Sequence, residues 1–178
     1  MTGEFIDGGV SPFNNPALLS VMYATMAGYR VGWPTGADKL LVVSVGTGAA
    51  DPEVTHAKVA AKQAVNALLS LMNDSATLQE VLMQWTVKQR YRAFVRPRDG
   101  RSAGRSRRGM PMLSYLRYNV DLRHESVKSL DSTLDDEAIE SLSAMDATGN
   151  MGMLHHLGRL AAGRDIQSGQ FPPAFDLP

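Results

Sequence analysis

The sequence predicts an α/β protein built on a parallel β-sheet, and three features of the chain indicate this fold class. The apolar pair Phe5-Ile6 is followed at once by an acid and two glycines, as at a strand that ends in a sharp turn. The run Leu40 to Val45 has the aliphatic and β-branched pattern of a parallel strand buried on both faces. Residues 16–28 carry apolar side chains at helical spacing. Strands at about residues 4–7 and 40–45, with the helix between them, therefore form a βαβ unit within residues 1–50.

The helix at residues 16–28 has its own start signal. Asn14 and Asn15 supply a side-chain cap, and Pro16 occupies the first helical position, where proline is tolerated. Gly28 is the predicted end of the helix. The following loop, from Tyr29 to Ala37, contains two glycines and a proline that separate the helix from the second strand.

Residues 51–178 are predicted to be mostly helical and to cover the sheet. An Asp-Pro-Glu signal at residue 51 begins a helix that reaches about residue 72. The segment Asn73-Asp74-Ser75 is predicted to break it and to cap another helix over residues 76–87. Two more helices are predicted, one from a capping segment at 132–137 to about residue 147 and one that ends near residue 163. The tail is predicted to be extended and to pack through Phe171, Phe175 and Leu177.

Composition describes an ordinary soluble globular chain of 178 residues, for which a single domain is expected. The 18 basic and 18 acidic residues cancel, which gives no reason to expect a polyelectrolyte partner. The absence of cysteine excludes disulfides and thiol chemistry. Neither a signal peptide nor an apolar run of membrane-spanning length is recognised, so a cytoplasmic protein, at most peripheral to a membrane, is expected.

Asp7 is the leading candidate for chemistry. It follows the first predicted strand, at the carboxyl edge where open α/β sheets collect ligands and catalytic groups. Gly8 and Gly9 would let the turn hold the carboxylate toward a neighbouring strand, and Asn14 and Asn15 follow closely enough to line the same pocket. The alternative interpretation is a structural turn in which Asp7 bonds its own backbone.

The pattern Asp7-Gly8-Gly9-Val10, then Asn-Asn-Pro-Ala at residues 14–17, then a helix, then residues 38–48, resembles the patatin-like lipid acyl hydrolases. More specifically, it is similar to the bacterial patatin-like phospholipases. The resemblance continues more weakly through short segments to the end of the chain, and residues 5–48 are its most specific part. These weaker segments are residues 82–85, 113–120, 150–154 and 171–177.

The resemblance implies a three-layer α/β/α sandwich with a Ser-Asp dyad, and Asp7 matches the dyad aspartate by motif. In the family the serine and a glycine-rich oxyanion loop precede the Asp-Gly-Gly, and residues 1–178 contain no counterpart to either. The chain therefore looks like the C-terminal portion of a phospholipase that cleaves acyl esters of phospholipids or related lipids without a cofactor. Alone it is expected to be inactive and to need the missing N-terminal segment as its partner.

Sheet physics gives independent support for missing strands. Two parallel strands leave open edges and uncovered faces, whereas sheets of this kind are normally larger. N-terminal strands are therefore expected to be absent from this chain. The alternatives are that its own helices or self-association cover the edges, or that the chain is a non-catalytic truncated or complementing module.

One motif satisfies the G-x-S-x-G pattern of a nucleophile elbow but has the wrong surroundings. Gly100 to Gly104 contains Ser102, yet arginines flank it on both sides in place of an apolar strand and a helix. The order relative to Asp7 is also reversed from the family. We interpret it as a coincidence in a loop.

The arginine-rich segment, Lys88 to Arg108, holds nine basic residues and one acid. Its loop portion, about residues 96–109, is a candidate contact for anionic lipid through Arg105, Arg107 and Arg108. The alternative is a solvated loop balanced by the acidic segment 121–146, and no nucleic-acid motif is recognised. No metal site is expected, because histidines at ligand spacing and cysteines are both lacking.

Overall fold

In a computed structural model of the chain, the structure is described for residues 11–49, 60–86, 111–142 and 147–177. Single turns of 3-10 helix connect several of the regular elements. The helices are α1 (Ala17–Thr25), α2 (Ala60–Thr86), α3 (His124–Leu130), α4 (Asp136–Ser141) and α5 (Met151–Asp165), and the strands are β1 (Leu41–Val45) and β2 (Ser114–Tyr118).

The two strands form a parallel sheet, which confirms the mixed α/β class. At its start the Ser114 N–H donates to the Leu40 carbonyl at 2.8 Å, and beyond its end the Gly46 N–H donates to the Tyr118 carbonyl at 2.8 Å. The predicted strand at 40–45 is confirmed as β1. Its observed neighbour β2 was not predicted, and the predicted strand at 4–7 lies outside the described residues.

The prediction that β1 is buried on both faces is wrong for its second half. Val43 and Val45 are 45% and 75% exposed, whereas the polar Ser44 between them is buried. An aliphatic sequence suits a strand with a layer on each face, but burial requires that the second layer be present. Among the described residues no element covers Val43 and Val45.

The chain divides into two compact units, and each strand begins in one and ends in the other. The described part of the first unit comprises residues 11–42, 60–86 and 111–115. One face of α1, the end of α2 and the residues at the starts of both strands contribute side chains to its core, and together they form one apolar cluster. The buried members are Ala17, Val21, Leu40, Met83 and Leu113, and Leu18, Val42 and Tyr115 pack against them.

Helix α1 begins one residue later than predicted, because Pro16 is its N-cap residue and Ala17 its first helical residue, and it ends earlier than predicted. The Asn15 side-chain oxygen accepts a hydrogen bond from the Ala17 N–H at 3.2 Å, which confirms the predicted cap. The helix ends at Thr25, where the hydroxyl donates to the Val21 carbonyl and Met26 turns to extended backbone. The predicted end, Gly28, lies instead in the 3-10 turn that follows.

Helix α2 is continuous over 27 residues, so the predicted break at residues 73–75 is wrong. Asn, Asp and Ser lower helix stability by less than about 0.7 kcal/mol each in a helix interior, which packing easily outweighs. Gln79 and Met83 of the same helix are buried, the latter completely. The predicted start at residue 51 lies outside the described residues.

The described part of the second unit comprises residues 43–49, 116–142 and 147–177. Helices α3, α4 and α5 enclose a core of Val127, Ile139, Leu142 and Leu157. The predicted capping segment is confirmed, since the Asp135 carboxylate accepts from the Ala138 N–H at 2.8 Å at the start of α4. That helix ends at Ser141, and residues 143–146, within the helix predicted to reach residue 147, lie outside the described residues.

Helix α5 confirms the last predicted helix and continues to Asp165. The tail after it is not extended throughout, because 3-10 turns form at Ser168–Gln170 and Pro173–Phe175. Phe171 and Phe175 are half-buried, as a packing role requires. Leu177 is 94% exposed, so its predicted packing is wrong.

Candidate functional site

The carboxyl edge of the sheet is the place where this architecture gathers polar side chains. Strand β1 is followed by the turn Gly46-Thr47-Gly48, and β2, which ends at Tyr118, is followed by Asn119 and, two residues further on, by Asp121. A parallel bridge between Ala49 and Asp121 keeps the two segments side by side beyond the strands. In open α/β sheets this edge is the usual position of ligand and catalytic groups.

Two side chains lie so close to the backbone of Gly46 that no side chain fits at this position. A Cβ atom at this position would lie 2.3 Å from the Asn119 side-chain oxygen and 2.8 Å from Nη2 of Arg117. Hydrogen bonds to other residues fix both neighbouring side chains in place. The Asn119 side-chain oxygen accepts from the Gly48 N–H at 2.9 Å, and Arg117 Nη1 donates to the Ser44 hydroxyl at 2.7 Å. The space beside Gly46 is therefore filled by two anchored polar groups.

Gly48 has a conformational reason for being glycine. Its φ is +111°, and an added Cβ would lie 2.7 Å from Cδ1 of Leu122. Its N–H is bonded to Asn119, and the Gly46 N–H is bonded to the Tyr118 carbonyl. The segment is thus a strand-end turn whose glycine N–H groups donate to the protein itself.

Asp121 has a structural role and is not suited to act as a catalytic base. Its carboxylate accepts from the Arg123 backbone N–H at 3.0 Å, from the Arg123 guanidinium and from the Ser126 hydroxyl at 2.8 Å. These bonds, that from the Arg123 side chain above all, lower the pKa of Asp121 from 3.8 to about 2, against the opposing effect of burial. A carboxylate so stabilised is a poor proton acceptor near neutral pH.

The depressed pKa of Asp121 makes the stability of the fold sensitive to acid. Because the folded-state pKa is below the unfolded value, the contribution is present above pH 3.8 and is lost as the pH falls toward 2. A third of the Asp121 side chain is exposed, so screening reduces the contribution to about 1 kcal/mol. We expect Asp121→Asn to flatten the decline of the urea midpoint over that range.

Urea titrations followed by far-UV circular dichroism at several pH values measure this effect. The matched control is Asp176→Asn, which alters an exposed aspartate of the tail. An Asp121→Asn variant with the same acid slope as the parent protein would contradict the assignment.

Two histidines of the second unit, His124 and His156, lie within hydrogen-bond distance of aspartates. His124 Nε2 lies 2.9 Å from Asp136, and His156 Nε2 lies 3.1 Å from Asp131. The pKa of Asp131 is lowered, first by its bonds from Thr133 and then by His156. Within the described ranges no three His, Asp or Glu side chains gather closely enough to hold a metal ion.

The structure places two of the predicted site residues. Asn15 is buried, and its side-chain nitrogen has no hydrogen-bond partner among the described residues. Asn14 is exposed, and its backbone N–H donates to the Ser11 carbonyl. The other predicted site residues lie outside the described residues, so a pocket shared by the asparagines and Asp7 stays a prediction. These are Asp7, Gly8, Gly9, Arg105, Arg107 and Arg108, together with Ser102 of the rejected elbow.

Arg117, Asn119 and Asp121 were missed by the sequence analysis. The available signal was the run from Leu113 to Tyr118, rich in aromatic and aliphatic residues, which ends in Asn and Asp as strands often do.

The strand ends place polar side chains at one edge of the sheet, where these side chains make hydrogen bonds within the protein. The carboxylate of Asp121 is occupied by its bonds to Arg123 and Ser126. No helix in the described part of the chain combines the length and the apolar character needed to cross a bilayer. Comparisons of the chain with protein-family models, curated proteins and solved structures found no match.

Proposed function

We propose that this chain is the aspartate-bearing, C-terminal portion of a patatin-like serine lipid acyl hydrolase. The observation that carries the proposal is the incomplete covering of the parallel sheet that the described strands β1 and β2 form, because Val43 and Val45 are exposed on a strand type that is normally covered on both faces. Such a sheet suits a portion of a larger one. The Asp-Gly-Gly motif supports the proposed chemistry, because it resembles the motif that carries the dyad aspartate in that family.

In the proposed reaction a serine from the missing segment attacks the carbonyl carbon of a lipid ester. Asp7 accepts the hydroxyl proton as the new carbon–oxygen bond forms, and the proton passes to the departing alcohol as the ester bond breaks. Water then attacks the acyl-enzyme and gives a proton to Asp7, and Asp7 passes that proton to the serine oxygen as the acyl–oxygen bond breaks, which releases the fatty acid and regenerates the serine and the Asp7 carboxylate. Asn14 and Asn15 are proposed to support the turn that holds Asp7.

A fluorophosphonate probe tests the proposal, since it phosphonylates only an activated serine. The probe is applied to the 178-residue chain and to the native polypeptide that contains it, isolated with antibodies raised against this chain. Intact mass and peptide mapping then locate the adduct. We expect no adduct on the chain alone and a single adduct on a serine N-terminal to Asp7 in the native material.

Two outcomes would contradict the proposal. An adduct on Ser102 would place the nucleophile in the arginine-rich segment, with the order of the dyad reversed. Native material without any adduct and without hydrolysis of phospholipid in mixed micelles would instead favour the non-catalytic module.

A further inference from the structure

An exposed apolar surface extends from α1 into the loop that follows it. Six large apolar side chains there are between 38% and 58% exposed, and we refer to this surface as the aromatic patch. Isolated exposed apolar residues are common on soluble proteins, but a contiguous group marks a site of interaction. The patch consists of Met22, Tyr23, Met26, Tyr29, Val31 and Trp33.

Local geometry makes these residues one surface. The rings of Tyr23 and Tyr29 lie 4.4 Å apart between centroids and are inclined by 59°. The Trp33 N–H donates to the Ala24 carbonyl at 2.8 Å, which folds the loop back onto the end of α1. Three aromatic residues are thereby gathered at one end of a short helix, while the opposite face of that helix carries the buried Ala17 and Val21.

The charge around the patch is unusual for a chain with 20% charged residues. Between residues 11 and 37 the only charged side chain is that of Arg30. Arg30 is exposed and lies within the patch sequence, directly after Tyr29, with its backbone in the left-handed region at φ 60°. The segment that forms the patch is therefore apolar and aromatic, with a single cation and no acid of its own.

We propose that the aromatic patch is a docking surface for lipid, in which the rings enter the headgroup region of a bilayer or micelle and Arg30 contacts phosphate. Tyr and Trp suit that depth because each has an apolar body and a polar tip. An arginine near the surface adds attraction to anionic headgroups, and residues 11–37 contribute no carboxylate that would oppose it. This contact needs no catalytic residue, so it goes beyond the proposed hydrolysis.

A second copy of the chain is a less suitable occupant. In a symmetric dimer the same patch meets itself, which would bring two copies of Arg30 into one apolar interface without a counter-ion from the patch. An anionic lipid surface supplies that counter-ion. Charge complementarity therefore favours lipid over self-association.

Tryptophan fluorescence provides a direct test, because the chain contains only Trp33 and Trp85. In the Trp85→Phe variant the emission reports on the patch alone. Titration with vesicles of phosphatidylcholine and phosphatidylglycerol should shift this emission to shorter wavelength, and brominated lipid should quench it. In the Trp33→Phe variant, where Trp85 on α2 is the reporter, neither change is expected.

Co-sedimentation with the same vesicles measures the energetic part of the contact. We expect Trp33→Ser to lower the partition coefficient at least about tenfold, since it removes an aromatic side chain that the bilayer would bury. The matched control is Trp85→Ser, which alters an aromatic residue that is 65% exposed in another element and should leave partitioning unchanged. Arg30→Glu should weaken binding to anionic vesicles and have little effect on purely zwitterionic ones.

Several outcomes would overturn the inference. Vesicle binding without any change in Trp33 emission would assign the contact to another surface, such as the arginine-rich segment, and no binding at all would reject the lipid site. Sedimentation equilibrium that shows a dimer dispersed by Trp33→Ser would identify a second copy as the occupant. If Trp33→Ser fails to fold, quenching of native Trp33 by brominated lipid still decides the matter.

The two proposals fail separately. Serine labelling in lipid-free buffer tests the dyad alone, and Asp7→Asn should leave vesicle binding intact.

Discussion

Asp7→Asn should lower the rate of fluorophosphonate labelling of the native polypeptide by about 10²- to 10⁴-fold, the usual contribution of a positioned general base. Asparagine keeps the size and shape of the side chain but cannot accept the serine proton. Hydrolysis of phospholipid in mixed micelles should fall by the same factor, because both reactions use the same activated hydroxyl. The rate of adduct formation, followed by intact mass, is the measurement.

The matched control for this loss is Asp38→Asn. Asp38 is also an aspartate close to a strand, at the start of β1, and it is exposed. We expect its replacement to leave labelling unchanged. Equal labelling of the Asp7→Asn variant and the parent protein would show that Asp7 is only a turn residue.

Gly46→Ala should lower the free energy of unfolding by about 1–3 kcal/mol, the usual cost of forcing an extra carbon into a filled space. The new methyl group would lie 2.3 Å from the Asn119 oxygen, well inside van der Waals contact. Relief requires both Asn119 and Arg117 to move, which strains or breaks the hydrogen bonds that their side chains make with Gly48 and Ser44. Urea unfolding at neutral pH gives the value.

A double-mutant cycle assigns that cost to its cause. In an Asn119→Ala background the obstructing amide is gone, so Gly46→Ala should cost clearly less than it does in the parent protein. Gly158→Ala is the control of opposite sign, because its Cβ meets no atom within 4 Å and alanine favours the α5 helix by up to about 1 kcal/mol. Additive effects of the two changes at Gly46 and Asn119 would contradict the steric explanation.

The sequence predicted correctly those features that depend on specific chemistry between near neighbours, such as helix caps and an aliphatic strand. The Asn15 cap, the Asp135 cap and the aliphatic core of β1 all occur where predicted, because each depends on neighbours within a few residues. The break expected at residues 73–75 failed for the converse reason. Weak helix formers disfavour the helical conformation by only tenths of a kcal/mol. Packing of the buried side of α2 outweighs this preference, and the helix continues through residues 73–75.

The candidate site depended on information that local patterns do not carry. Asn119 reaches the Gly48 N–H across 71 positions of sequence, and only the pairing of β1 with β2 brings the two together. The exposure of Val45 is likewise set by which layers are present and not by its own identity. Asp7 was singled out by a motif that resembles that of a family, and its role and geometry stay predictions.

The parallel pairing of the strands has a consequence for how the chain folds as it is synthesised. Ser44 of β1 and its partner Arg117 of β2 are separated by 73 positions. At a synthesis rate of about 5–20 residues per second, β1 waits roughly 4–15 s before its partner strand has been made. Contacts of such long range also form slowly once both ends exist, since loop closure must precede them. During that interval the aliphatic segment from Leu40 to Val45 is a ready target for chaperones or for the same segment of another nascent chain.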